Sequence, residues 1–97
     1  MALHIHFVGI KGTGMSALAQ ISAQLEDATI SGSDVEECFY TDSVLERAQI
    51  PVLRFSPENV EKADLVVASA AYTNQHPEIA RALELKMLPC LHKIYMS

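Results

Sequence analysis

The 97-residue chain is short of the features that mark several protein classes. It has two cysteines, Cys38 and Cys90, far apart and in neither C-x-x-C nor zinc-ligand spacing. That excludes a disulfide scaffold and a zinc module, and both are expected to be free thiols in a reducing compartment. Basic residues are few: seven Lys and Arg against twelve Asp and Glu, for a net charge of −5. Nucleic-acid binding draws on lysines and arginines that neutralise phosphates, so no nucleic-acid partner is expected. No apolar run approaches the roughly 20 residues that cross a bilayer, and no basic start with a cleavage site marks a signal peptide. No membrane partner and a cytoplasmic location are therefore expected.

What is present is an alternation of short apolar runs with amphipathic segments, the pattern of βαβ units and a parallel sheet. Strands are predicted over Leu3–Val8, Ala28–Ser31, Pro51–Arg54, Asp64–Ser69 and Leu88–Leu91. Helices are predicted over Met15–Leu25, Thr41–Gln49 (capped by Thr41 or Asp42) and Pro77–Lys86. Ser56-Pro57-Glu58-Asn59 starts a helical turn with serine as cap and proline at its first position. The fold class is α/β: a Rossmann-like three-layer domain with a five-stranded parallel sheet, formed by residues 1–97 as a single domain.

Chemistry concentrates after the first strand. Gly12, Gly14 and Ala17 satisfy G-x-G-x-x-G/A, a phosphate-binding pattern when it follows a strand and opens a helix. Gly12 is expected to make the tight turn with unusual backbone angles. Gly14 leaves room for a pyrophosphate, and Ala17 lets the helix pack on the strand. Helix-terminal N–H groups then favour an anion. Lys11, inside the loop, either reaches a phosphate or points to water. No Walker loop is present, so this chain offers no site for ATP hydrolysis. Asp34, after the second strand, stands where an acidic residue accepts hydrogen bonds from a ribose. Ser69-Ala70-Ala71 follows the fourth strand and leaves room for a ligand there.

These motifs together resemble the Mur ligases. The resemblance runs from His6-Phe7-Val8-Gly9-Ile10-Lys11-Gly12-Thr13-Gly14-Met15-Ser16-Ala17-Leu18-Ala19 through Ser31-Gly32-Ser33-Asp34 and Ile50-Pro51-Val52-Leu53. It continues over Asn59 to Ser69 and His76-Pro77-Glu78-Ile79. It implies the amino-terminal domain of a three-domain ATP-dependent amide ligase of peptidoglycan biosynthesis, holding the UDP part of UDP-N-acetylmuramic acid. By resemblance, Gly12, Thr13, Gly14 and Met15 face the diphosphate, Ser33 and Asp34 serve the uridine, and Ser69, Ala70 and Ala71 line the diphosphate and sugar. ATP, magnesium and the amino acid, L-alanine in the nearest members, belong to the other two domains. This domain is then expected to bind but not catalyse, with no catalytic residue, no metal and no cofactor of its own. One departure is Leu25-Glu26-Asp27-Ala28, where the family commonly has a glycine-aromatic pair and where Asp27 can adopt the left-handed turn more easily than most residues, though less readily than glycine.

Three other readings stand beside this one: a tripeptide-recycling ligase of the same family, an NAD-type dinucleotide-binding domain with Asp34 on the adenosine ribose, and a free-standing nucleotide sensor. His4 and His6 share a strand face without a third metal ligand and are read as packed or solvent-facing. His76 is read as structural, Met15, Met87 and Met96 as core or terminal filler, and Glu36, Glu37, Glu46, Glu58 and Glu61 as solvated.

Overall fold

The computed structural model describes residues 3–36, 41–69 and 71–85. Cys38, Glu37, Ala70, Met87, Cys90, Met96 and the fifth predicted strand, 88–91, lie outside them.

Four parallel strands form one sheet among the described residues: β1 (Leu3–Val8), β2 (Ala28–Ser33), β3 (Val52–Leu53) and β4 (Leu65–Ala68), in the order β3-β2-β1-β4. The helices are α1 (Thr13–Ser22), α2 (Thr41–Arg47) and α3 (Pro77–Glu84), with a 3₁₀ turn over Pro57–Val60. The expected helical turn is seen, as a 3₁₀ turn: the Ser56 hydroxyl accepts from the Glu58 amide and Pro57 takes the first position.

Side-chain alternation assigns the two faces of the sheet. Ile5, Phe7, Ile30 and Val67 point to one side and pack with Met15 and Ala19 of α1 and Leu45 of α2. Val8, Val66 and Ala68 point to the other and pack with Val60, Ala63, Ile79 and Ala82. Two separate cores thus flank one sheet, giving three layers.

The ends of several elements differ from the sequence reading. β2 runs to Ser33 rather than Ser31, because its last residues pair on both sides, with Val8 and with Leu53. β3 shrinks to two residues: Pro51 has no N–H to donate and serves the sheet through its carbonyl, which accepts from Gly32 at 3.0 Å. α1 stops at Ser22, and Gln24 and Leu25 close tighter turns onto Ile21 and Ser22. Leu25, the last residue of the predicted helix, is therefore outside α1 and exposed. Among the described non-glycine residues only Gln49 has positive φ, so Asp27 does not use the left-handed conformation open to it.

Candidate functional site

The strand order reverses between β1 and β4, and open α/β sheets bind ligands at such a point, beyond the carboxyl ends of the strands. The loop after β1 and the loop after β4 meet there. Gly9 has φ of 84°, and a Cβ on it would stand 2.8 Å from the Tyr72 ring and 3.0 Å from Ser69. The unusual backbone therefore falls on Gly9 and not on Gly12, whose φ of −62° and ψ of 147° suit any residue.

Three consecutive loop amides are held by the end of β2. The Ser33 carbonyl accepts from Gly9 N at 2.8 Å and from Ile10 N at 3.2 Å, and Asp34 Oδ2 accepts from Lys11 N at 2.8 Å. Gly32 is needed at its position because Ile10, fully buried, lies where a Cβ would go, with its own Cβ 2.7 Å away. From the other side, Thr41 Oγ1 donates to Lys11 O at 2.7 Å. Thr41 thus tethers the loop from within the first turn of α2 rather than simply capping that helix. Lys11 is buried, and its Nζ lies 3.4 Å from Asp42 Oδ1, so it is turned onto the start of α2 and not to water.

The anchored loop delivers the start of α1. Gly12, the cap residue, offers no side-chain hydrogen bond, and no acidic residue stands in the first turn. Ser16 N bonds to Gly12 O at 2.8 Å, so the Gly14 and Met15 amides precede the helical ladder. Gly12, Thr13 and Gly14 are exposed, and a Cβ at Gly14 would meet nothing within 4 Å. Anion-directed amides beside open space are what a diphosphate needs. Met15 contributes through its backbone, since its side chain is in the core. Ala17 is exposed, so the small-residue packing expected of it is done by Ser16 and Ala19, which are buried.

The remaining predicted site residues divide. Asp34 lines a cleft of about 410 Å³ together with Lys11, Val35, Asp42, Ile50 and Arg54. The cleft continues from the loop past the ends of β2 and β3. Asp34 keeps its carboxylate on backbone amides, Lys11 N and Val35 N, and is 6% exposed. The Ser33 hydroxyl faces away from the cleft and donates to Glu78 Oε1 at 2.7 Å, so it offers no side-chain contact to a sugar. Ser69 Oγ accepts from Ala71 N at 3.2 Å within the β4 loop, and Ala71 is exposed.

Sequence reasoning missed Glu78. It is wholly buried, and four donors converge on its carboxylate: His6 Nε2 at 2.8 Å and Ser33 Oγ at 2.7 Å on Oε1, Ser56 N at 2.9 Å and Asn59 Nδ2 at 2.8 Å on Oε2. Burial pushes this carboxyl up, but the hydrogen bonds from His6, Ser33, Ser56 and Asn59 together bring it below its ordinary value. The network continues through Ser31 Oγ, which bridges His6 Nδ1 at 2.8 Å and His4 Nε2 at 2.9 Å. His76 caps α3, its Nδ1 accepting from Glu78 N at 3.1 Å, with its ring edge-on to Phe55 and Tyr72. Burial lowers its pKa against the opposing charges of Glu78 and Asp34. No group of three metal-ligating side chains occurs among the described residues.

Similarity to characterised proteins agrees with this architecture. The chain is 72% identical over 87 residues to a UDP-N-acetylmuramate–L-alanine ligase of Desulfitobacterium hafniense, an alignment covering 90% of this chain and 19% of that protein. The structure superposes on the UDP-N-acetylmuramate–alanine ligase of Thermotoga maritima with a TM-score of 0.77 at 35% identity, over 88% of this chain and 20% of that one. A murein peptide ligase of Psychrobacter arcticus superposes with a TM-score of 0.80 at 28% identity, over 89% of this chain and 18% of that one. The chain therefore spans about a fifth of these relatives. The family described as "Mur ligase family, catalytic domain" matches residues 4–90, and the chain belongs to the Mur ligase family.

Proposed function

We propose that this chain is the substrate-nucleotide-binding part of a UDP-N-acetylmuramate–L-alanine ligase, and that it binds the UDP moiety while other domains supply ATP, magnesium, L-alanine and the amide-forming chemistry. The observation that carries the reading is the open, uncapped start of α1 at the strand-order reversal, set by amides anchored on Ser33 and Asp34. The diphosphate takes the Gly12, Thr13, Gly14 and Met15 backbone. The nucleoside extends into the Asp34 cleft, and Ser69, Ala70 and Ala71 border the diphosphate and sugar. Identity to the Desulfitobacterium hafniense ligase favours L-alanine addition over peptide recycling. The five-stranded sheet expected from the sequence is part of the same proposal. The location would be cytoplasmic; no helix among the described residues is long and apolar enough to cross a membrane.

Calorimetric titration with UDP-N-acetylmuramic acid, UDP and NAD, on wild type and Asp34→Ala, tests the reading. UDP compounds are expected to bind and to bind more weakly to the variant, which loses both the cleft wall and the Lys11 N anchor. Binding of NAD but not of UDP compounds would replace the reading with a dinucleotide-binding domain.

A further inference from the structure

We propose that Glu78 is a positioning residue for the ligand loop, acting through Ser33 on the main chain of Gly9 and Ile10 and, through the adjoining Asp34, on that of Lys11. The proposal rests on the reading of that loop as the diphosphate site. Ser33 joins the loop to α3, because its two polar groups face opposite ways. Its carbonyl holds the Gly9 and Ile10 amides, and its hydroxyl is held by Glu78 from α3, 45 residues later in sequence. Asp34, the next residue, holds the Lys11 amide. The loop thus sits on a two-residue clamp whose first member is itself gripped from the far face of the sheet.

The donor set favours an ionised carboxylate at this position. Ser56 N and Asn59 Nδ2 carry hydrogens that only an acceptor can receive. On the other oxygen, the Ser33 hydroxyl donates, and His6 Nε2 faces the same atom. A glutamine keeps the shape but must aim its NH₂ at one pair: toward Ser56 N and Asn59 Nδ2 it meets two N–H donors, and toward Ser33 and His6 it forces the Ser33 hydroxyl to accept instead of donate. An aspartate is one methylene short and leaves one pair unreached. Both oxygens are used, so Glu78 fixes Ser33 relative to α3 and the 3₁₀ turn at once.

The test uses the whole chain. Amide resonances of Gly9, Ile10 and Lys11 are recorded by ¹⁵N–¹H spectroscopy, and UDP affinity by calorimetry, for wild type, Glu78→Gln, Ser33→Ala and the double variant. In Glu78→Gln the three amides are expected to shift, and the dissociation constant for UDP to rise about tenfold, the scale of one lost charge-assisted hydrogen bond. Ser33→Ala is expected to shift the same amides, and the double variant to bind no more weakly than Glu78→Gln, because both act along one path. A folded Glu78→Gln with a lower melting temperature but unmoved loop amides and unchanged UDP affinity would overturn the proposal, leaving Glu78 a purely structural anchor. Should Glu78→Gln not fold, Ser33→Ala decides alone by the same two readouts. Failure of wild type to bind UDP would overturn the nucleotide reading instead, and the amide shifts would then decide whether the clamp exists.

Discussion

The face of the sheet bearing Ile5, Phe7, Ile30 and Val67 meets α1 and α2 through apolar contacts, whereas the other face adds to its apolar packing on Ile79 and Ala82 of α3 a polar network of His4, His6, Ser31 and Ser33 that ends on the carboxylate of Glu78. Apolar burial is non-directional and roughly proportional to area, so the first face tolerates small rearrangements of its contacts. A buried polar network depends on every partner being present, so the second face transmits any loss. The ligand loop is joined to both: Ile10 and Met15 sit in the apolar core, and Ser33 ties the same loop to the polar network. The face with directional bonds sets where the loop amides point, and the apolar face supplies the bulk that holds it down.

The largest effects should come from cutting each face at its centre. Phe7→Ala is expected to cost about 3–5 kcal/mol through lost burial and a cavity. Glu78→Ala should cost a similar amount, about 3–5 kcal/mol, by removing the buried acceptor shared by His6, Ser33, Ser56 and Asn59, although Asn59 keeps Arg54 O, and His6 and Ser33 keep each other. Acid separates the two. The unfolded chain takes up protons first on both His76, whose pKa is lowered from 6.5, and Glu78, lowered from 4.5. Their stabilisation is therefore complete above those values and is lost as pH falls below 6.5 and then below 4.5. Urea unfolding of Glu78→Ala should converge on wild type as the pH drops through the lower step, while Phe7→Ala keeps its deficit. An equal pH dependence in the two variants would break the comparison.

Gly32→Ala should cost less, about 1–3 kcal/mol, by driving a methyl into Ile10 beneath the loop, and thermal melting would read it. Gly14→Val should do the reverse. The added side chain meets nothing within 4 Å at its Cβ, so the melting temperature should hold, while UDP affinity falls about tenfold or more as the diphosphate's approach is filled. The smallest effect is expected at Ala17, which is exposed: Ala17→Ser should stay within about 0.5 kcal/mol of wild type and leave UDP binding unchanged.

Much of this was legible in sequence because it is local. The bounds of β1 follow from apolar alternation, the start of the 3₁₀ turn from Ser56-Pro57, and the phosphate loop from glycine spacing. The tight turn falls on Gly9 rather than Gly12, because the spacing does not say which glycine faces the neighbouring loop; Tyr72 and Ser69 decide that for Gly9, while Gly14 keeps the open space expected of it. Ser33 was read as a ligand contact because its position after β2 is visible and its partner is not. His4 and His6 were legible as sharing a face. Glu78 was not, since a glutamate in the first turn of a helix reads as a solvated, dipole-favoured residue until the fold brings β1, β2 and the 3₁₀ turn around it.

Titrating UDP into the ¹⁵N-labelled chain while following its backbone amides tests the central claim most directly. The account expects the largest shifts at Gly12, Thr13, Gly14 and Met15, with a second group around Asp34 and Val35 and saturation at one equivalent. Shifts confined to other parts of the surface, with the start of α1 unmoved at saturating UDP, would contradict it.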